Sequence, residues 1–506
     1  LQHPLTIESS QFTIHKLQVT SYKGMLRKAL LAVVGLAIVA GVLYRFGGVR
    51  IARDGSGMWP RLFSSDPNYE ALEADRARQR ASEAAPVSPS AVGPGPSPAS
   101  AQVAPAVAAG PAGQPAEATA PRAFWPDFRG PNRDGRYDEA PIRTSWPSEG
   151  LRLLWKQPIG LGYASFVVAD GRAFTIEQRR GQEVASAYDL ETGRELWTSG
   201  WDASFNESMG GDGPRATPTY HDGRVYALGA LGELRSLNAA TGALVWRRNI
   251  LDDAGASNLV WGMSGSPLVV DDTIVVLPGG PRGKSVAAYD RLSGAPRWAS
   301  LDDSQAYTSP MLVTLGGVRQ LLVVSASRVM GLAIDGGRLL WDYPWVTEYG
   351  INAAQPLLLG GDRVFMSAGY GHGAAVIEVA RKGDTFSTRT VWQNTRMKNK
   401  FSSSVLHQGS IYGLDEAILA CVDAATGELR WKGGRYGYGQ VLLAGDHLVV
   451  LTESGDVALV RATPERHEEV AMFPAIEGKT WNHPVVAGGR LLVRNLREMA
   501  AFDIQP

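Results

Sequence analysis

The side chains best able to do chemistry in this 506-residue chain are few and scattered. Its one cysteine, Cys421, sits in the apolar run Ile418-Leu-Ala-Cys-Val. A lone thiol makes no intramolecular disulfide, CxxC metal site or CxxCH haem attachment, and in that setting it reads as a core side chain. The histidines show no ligand spacing. His221, His407 and His447 fall at turn signals, His372 lies in Gly369-Tyr-Gly-His-Gly, and His483 alone is expected to face a central channel. No metal site is expected. A second set is aromatic and polar: Tyr163, Arg215, Trp261, Tyr307, Tyr349, Lys398, Lys400, Arg435, Tyr438, Trp481, Asn482 and His483. Aromatic walls with a few charges suit a ligand pocket or a protein-binding surface. Carboxylates near this set are few, Glu207 and Asp212, with Asn399 or Asn482 as amide partners. Asp415-Glu416, in Tyr412-Gly-Leu-Asp-Glu-Ala, reads as turn chemistry.

The elements that must position these residues repeat. Trp155, Trp197, Trp246, Trp298, Trp341, Trp392 and Trp431 lie 39 to 52 residues apart, and Phe473 extends the series to eight. A period of that size in a strand-rich chain marks propeller blades. Asp189-Leu-Glu-Thr-Gly193 ends four residues before Trp197; Asn238 to Gly242, Asp290 to Gly294 and Asp423 to Gly427 bear the same relation to Trp246, Trp298 and Trp431. Gly337 precedes Trp341 by the same step, with Ala333 in place of Asp. These are tight hairpins in which Asp or Asn caps the turn and Gly takes the left-handed conformation. A third series closes the first strand pair of each unit: Asp170-Gly171, Asp222-Gly223, Asp271-Asp272, Gly316-Gly317, Gly360-Gly361, Gln408-Gly409, Gly445-Asp446 and Gly488-Gly489. The innermost strands begin at Ser165, Thr217, Ser266, Ser309, Gln355, Ser404, Gln440 and His483, several followed by Pro, which an unpaired edge tolerates. The loops just before these starts carry the aromatic and polar set to one face. The last unit stops before its Trp strand, and Leu151-Arg-Leu-Leu-Trp155-Lys is a spare one. The expected fold is all-β: an eight-bladed propeller of four-stranded antiparallel blades over 122–506, its ring closed by the N-terminal strand. The blades starting at Gln355 and Gln440 depart from the pattern and are expected to be irregular.

Ahead of the propeller the composition changes. Residues 1–24 resemble nothing that follows. Residues 25–48 hold an uncharged run, Ala29 to Tyr44, preceded by Lys23, Arg27 and Lys28; it reads as a single membrane anchor or a signal segment. Residues 49–84 are charged, with a short exposed helix expected over Tyr69 to Glu83. Residues 85–121 are almost wholly Ala, Pro, Gly, Ser and Val, a linker composition. Lysine plus arginine and aspartate plus glutamate balance at 50 each, without the basic surplus that duplex binding needs, so no nucleic-acid partner is expected. The layout predicts a monomeric propeller held outside the cytoplasm at a cell membrane.

Ala187-Tyr-Asp189 to Trp197 carries an AxDxxTGxxxW pattern, and Ala288-Tyr-Asp290 to Trp298 repeats it with Ser293 for Thr. It resembles the tryptophan-docking motif of PQQ-like propellers, a family that includes quinoprotein alcohol dehydrogenases and BamB-type scaffolds of outer-membrane assembly. Trp125-Pro-Asp-Phe-Arg-Gly-Pro-Asn-Arg-Asp-Gly135, Gly211-Asp-Gly-Pro-Arg-Ala-Thr-Pro218 and Lys479-Thr-Trp-Asn-His-Pro484 are similar to a bacterial subgroup of PQQ-binding-like repeat proteins. The resemblance implies a choice. The dehydrogenases carry adjacent cysteines beside PQQ and a Glu/Asn/Asp set for calcium; one cysteine cannot make that pair. It therefore implies a scaffold or recognition domain without cofactor, binding an envelope protein or a small ligand through a face containing Tyr163, Asp212, Arg215, Trp261, Tyr307, Lys400, Tyr438, Trp481, Asn482 and His483. The alternative it carries is a dehydrogenase using PQQ with calcium.

Overall fold

The structure, a computed structural model, describes residues 35, 39, 49–54, 57–62, 69–84 and 124–506. Apart from residues 35 and 39, the expected N-terminal extension and anchor lie outside these residues, as does the linker at 85–121. Among the described residues no helix is long and apolar enough to cross a membrane. The chain divides into two units, 1–67 and 68–506. The first holds an antiparallel pair, Val49–Asp54 with Gly57–Leu62. The second holds the repeats.

Blade 1 consists of Val167–Ala169, Arg172–Arg179, Gln182–Asp189 and Glu195–Asp202 in simple antiparallel order. Seven further sheets follow, with innermost strands Thr219–His221, Leu268–Val270, Met311–Leu315, Leu357–Gly360, Val405–His407, Gln440–Ala444 and Val485–Ala487 opening blades 2 to 8. The middle strands are buried on both faces, because each sheet packs between two others; Arg172–Arg179 and Gln182–Asp189 each bury six consecutive residues. Two-residue turns join the first two strands, with left-handed backbone at Asp170 (φ +51°) and Gly171 (φ +69°) and again at Asp222 (+49°) and Gly223 (+71°). This mirror-image turn matches the right-handed twist of the strands.

The tryptophans bind one blade to the next. Trp155, Trp197, Trp246 and Trp392 donate their indole N–H to Leu190, Ala239, Arg291 and Ala424 carbonyls of the following blade at 3.0–3.1 Å. Trp431 donates to Thr463 at 2.7 Å. The hairpin glycine of that following blade lies flat against the ring, so a Cβ on Gly193 would meet Trp155 at 2.6 Å and one on Gly427 would meet Trp392 at 2.6 Å. Gly337 likewise faces Trp298. The four turns that begin with Asp or Asn are capped as expected: Asp189 Oδ1, for example, accepts the Thr192 N–H and hydroxyl at 2.9 and 2.7 Å.

Trp341 departs from the expected docking role. Blade 5 replaces the capped turn with a long outer hairpin, Gly373–Lys382 and Thr385–Asn394. With no turn glycine to meet, the Trp341 indole donates to Gln320 of its own blade at 2.6 Å. Tyr343 and Thr390 take up the contact to blade 5, their hydroxyls 2.9 Å apart. Blade 7 is the other irregular sheet. It has five strands rather than four, because Arg136–Tyr137 pairs in parallel with Leu443–Ala444 on the channel side. Both irregular blades are the ones whose sequences lack the docking pattern.

Closure is as expected. Leu153–Pro158 completes blade 8 beside Glu498–Asp503, with Trp155 opposite Ala501. The charged helix forms over Tyr69–Ala84 (α1), but one of its faces is docked rather than exposed. Leu72 and Arg76 are buried. The Arg76 guanidinium donates to Glu195 of blade 1 at 3.1 Å, and to Gln157 and the Pro158 carbonyl of the closing strand at 3.1 and 2.9 Å. A paired Glu73–Arg180 contact at 2.7 and 2.8 Å extends the seam. An Ala-rich helix with a single inward arginine has too weak an apolar stripe to announce a docked face.

Candidate functional site

The starts of the innermost strands are small or polar because they tie successive blades together. Thr217 Oγ1 accepts the Ser165 N–H at 2.9 Å, Ser309 Oγ the Ser266 N–H at 2.9 Å, Gln355 Oε1 the Ser309 N–H at 3.0 Å and Ser403 Oγ the Gln355 N–H at 3.0 Å. Gln440 donates to Phe401 and Trp481 carbonyls at 3.2 and 3.0 Å. This ring holds the blade-linking loops around one mouth of the channel.

On those loops the expected residues converge. Tyr163 stacks on Trp481 with centroids 5.3 Å apart, and Arg215 lies over Tyr163 at 5.5 Å. Lys400 lies over Tyr438 at 4.8 Å and over Tyr370 at 4.7 Å. Trp261 and Tyr307 pair at 5.6 Å. Besides Tyr370, three residues absent from the expected face complete the collar: Phe401, 4.5 Å from Trp481 and 5.3 Å from Tyr438; Lys479, 4.1 Å above the Trp481 ring; and Glu453, which accepts the Trp481 indole N–H at 3.0 Å. Burial raises the Tyr163 phenol far above its ordinary range, and its hydroxyl donates to the Gly210 carbonyl.

Two expected members of the face lie beneath it, and a third shapes one of its loops. Asn482 is fully buried and donates to Gly162 and Ala164 carbonyls at 3.1 and 2.9 Å. His483 is buried beneath the face, its ring nitrogens 2.7 and 3.2 Å from the Pro484 and Val441 carbonyls. Burial, with Arg129 nearby, lowers its pKa to about 3, so it stays neutral. Asp212 accepts the Glu207 N–H at 2.8 Å, and Glu207 in turn accepts the Met209 N–H at 2.6 Å, so both carboxylates shape a loop. Of the pair Asp415-Glu416, Glu416 occupies a left-handed turn position, while Asp415 is buried between Lys398 and Lys432. Cys421 is buried in the core, and burial pushes its thiol up to about 11. Among the described residues no three His, Cys, Asp or Glu side chains converge as a metal site would require.

The opposite mouth is plugged by the segment before the first blade. Trp125 bridges Val168 in both directions at 2.8 Å. Arg133, 2% exposed, donates to the Ser266 and Pro310 carbonyls at 3.2 and 2.7 Å, to the Pro267 carbonyl, and to Asp127 at 2.6 Å. Arg129, 1% exposed, donates to the Ser404 carbonyl at 2.8 Å. The segment leaves a cavity of about 1040 Å³ lined by blades 2 to 6. The plug has no counterpart among the repeats, and its carbonyl partners carry no residue-specific mark; two arginines in a Gly- and Pro-rich stretch were the available signal.

Against known proteins, a family model described as outer membrane protein assembly factor BamB matches residues 180–433, half of the chain. The outer membrane protein assembly factor BamB of Bordetella pertussis (strain Tohama I) is 25% identical over 211 residues, 41% of this chain and 46% of that protein. The match thus spans less than half the relative's length. Among solved structures, the quinohemoprotein alcohol dehydrogenase of Comamonas testosteroni aligns with TM-score 0.53 at 14% identity, over 76% of this chain and 81% of the other, a likeness of fold alone. BamB from Moraxella catarrhalis aligns with TM-score 0.49 at 15% identity, over 70% of this chain and 97% of the other.

Proposed function

Because the chain belongs to the PQQ-like β-propeller family, we propose that it is a non-catalytic recognition propeller of the cell envelope, held by an N-terminal anchor and binding a protein partner at its collared mouth. One observation carries this. Large apolar side chains stand out on the loops of that mouth: Met209, Val260, Val346 and Tyr349 are 43%, 70%, 62% and 62% exposed. Apolar side chains collected around a polar collar are typical of a docking surface. The names of the BamB relatives, which place those proteins in outer-membrane assembly, support the same direction.

The residues present do not fit a planar quinone with calcium. Trp481, the broad aromatic surface at the mouth, already carries Tyr163 stacked against it and Lys479 over it. Glu207 and Asp212, the nearest candidate carboxylates, are turned to main-chain N–H groups. The test is a titration of the full chain with PQQ, with and without calcium, followed by a dye-linked alcohol oxidation assay, alongside photocrosslinking in cell envelopes from positions 260 and 349. We expect no saturable PQQ binding, and crosslinks to a protein from both positions but not from Leu244 on the outer wall of blade 2. Calcium-dependent PQQ binding with turnover would overturn the proposal.

A further inference from the structure

The plugged mouth has its own pattern, set by main-chain parity. A two-residue turn makes its flanking residues a hydrogen-bonded pair, here Ala169–Arg172, His221–Arg224, Val270–Thr273, Leu315–Val318, His407–Ser410, Ala444–His447 and Ala487–Arg490. Alternation then aims the N–H and C=O of the residue before each pair at the channel. Those residues are Val168, Tyr220, Val269, Thr314, Leu406, Leu443 and Val486, and Leu312 shares the parity of Thr314.

The plug engages four of them. Trp125 exchanges both bonds with Val168 at 2.8 Å, and the Pro126 carbonyl accepts the Tyr220 N–H at 2.8 Å. Arg136 donates to the Leu406 carbonyl at 3.4 Å, and the Gly135 carbonyl accepts the Leu443 N–H at 2.8 Å. The parity holds further in, where Arg133 takes the Pro267 and Pro310 carbonyls. Val269, Leu312, Thr314 and Val486 are left, and among the described residues nothing bonds their channel-facing main chain. Of these, Val269, Leu312 and Thr314 line the cavity of about 1040 Å³.

We propose that this cavity binds an extended, uncharged peptide segment of a partner protein as an added strand on Met311–Leu315, the innermost strand of blade 4. The chain itself supplies the precedent. The other five-residue innermost strand, Gln440–Ala444, already carries an added strand, Arg136–Tyr137, in the same mouth. Main-chain pairing gives such an addition its affinity and the alternating side chains its specificity. Leu312, 37% exposed, and Leu358 offer apolar contacts. The arginines of the lining are paired, Arg133 with Asp127 at 2.6 Å, Arg136 with Asp138 at 3.2 Å and Arg319 with Asp271 at 3.1 Å, which favours a segment without charge. This site lies at the opposite mouth from the collar and stands whether or not the collar binds a protein.

The probe is an acetylated, amidated hexapeptide of alternating Thr and Val, fluorescein-labelled, titrated into the full chain by anisotropy. A second peptide is N-methylated at alternate residues, which removes the strand-forming donors and keeps the side chains. We expect saturable binding that weakens at least tenfold on N-methylation and on Leu312→Pro, which removes one channel-facing donor, and that is unchanged by Trp481→Ala. In the unsubstituted chain, the Leu312 and Thr314 amides should exchange hydrogen at least tenfold more slowly with the peptide bound, a readout independent of how the proline variant folds. Absence of saturable binding, equal binding of both peptides, or unaltered exchange at those amides would overturn the proposal.

Discussion

Glu183 is fully buried at the start of the third strand of blade 1, where it accepts the Trp201 indole N–H at 3.0 Å and the Ala230 N–H at 2.8 Å. Both bonds favour the carboxylate, yet burial outweighs them and raises its pKa to about 7. The folded state therefore holds this proton more tightly than the unfolded chain, and stability falls as pH rises from the ordinary glutamate range through about 7. His483 has the opposite sign: depressed to about 3, it contributes stability that is present above pH 6.5 and lost on acidification. Glu183→Gln should remove the loss on the alkaline side, so its melting temperature relative to the parent should rise between pH 5 and pH 8 in a thermal scan. At the plug, Arg133→Ala leaves Asp127 buried without its partner and should cost about 3–5 kcal/mol in denaturant unfolding. Arg133 shows where sequence reading stops: its acceptors are main-chain carbonyls of Ser266, Pro267 and Pro310, which any residue type presents alike.

At the scale of elements, the blade-to-blade joint is a ring laid on a glycine. Gly242 and Gly223 both adopt left-handed backbone, at φ +73° and +71°. A Cβ on Gly242 would meet the Trp197 ring at 2.5 Å, whereas one on Gly223 would meet nothing within 4 Å. Each Gly→Ala change should cost about 1–2 kcal/mol for backbone conformation, and Gly242→Ala should cost measurably more. Trp197→Ala should cost about 3–5 kcal/mol, read in the same denaturant series. These joints were legible because one local chemistry recurs along the chain, so each turn predicted the next. Trp341 had the spacing without the partner, since its partner belongs to a later hairpin of different length. The collar was largely legible for the same reason, as the repeat fixes which loops share a face. Phe401 and Lys479 adjoin the loop positions that the repeat marks rather than occupy them, so the pattern does not point to them. Helix α1 was legible as a helix and not as a docked one. Arg76→Ala should lower the melting temperature while leaving the β-sheet circular dichroism signal intact.

For the whole molecule, the ring is held shut by a strand borrowed from the far end of the domain. Leu153–Pro158 pairs with Glu498–Asp503, and Arg143 adds a bond from its N–H to the Ile504 carbonyl at 2.7 Å. A contact between ends this far apart in sequence forms late and slows folding. A chain beginning after Pro158 should therefore lose a single cooperative unfolding transition, as seen by calorimetry. The same seam has a mechanical consequence. The two paired strands run antiparallel, with Leu153 opposite Phe502, so the chain enters and leaves blade 8 at the same end of the ladder. A pull applied between the two ends would meet the bonds one after another, as in a zipper, rather than loading them together. Tension along the chain would open blade 8 from that end, and the Arg76 contacts to Gln157 and Pro158 lie at the other end of the same strand, where the last rungs would give way.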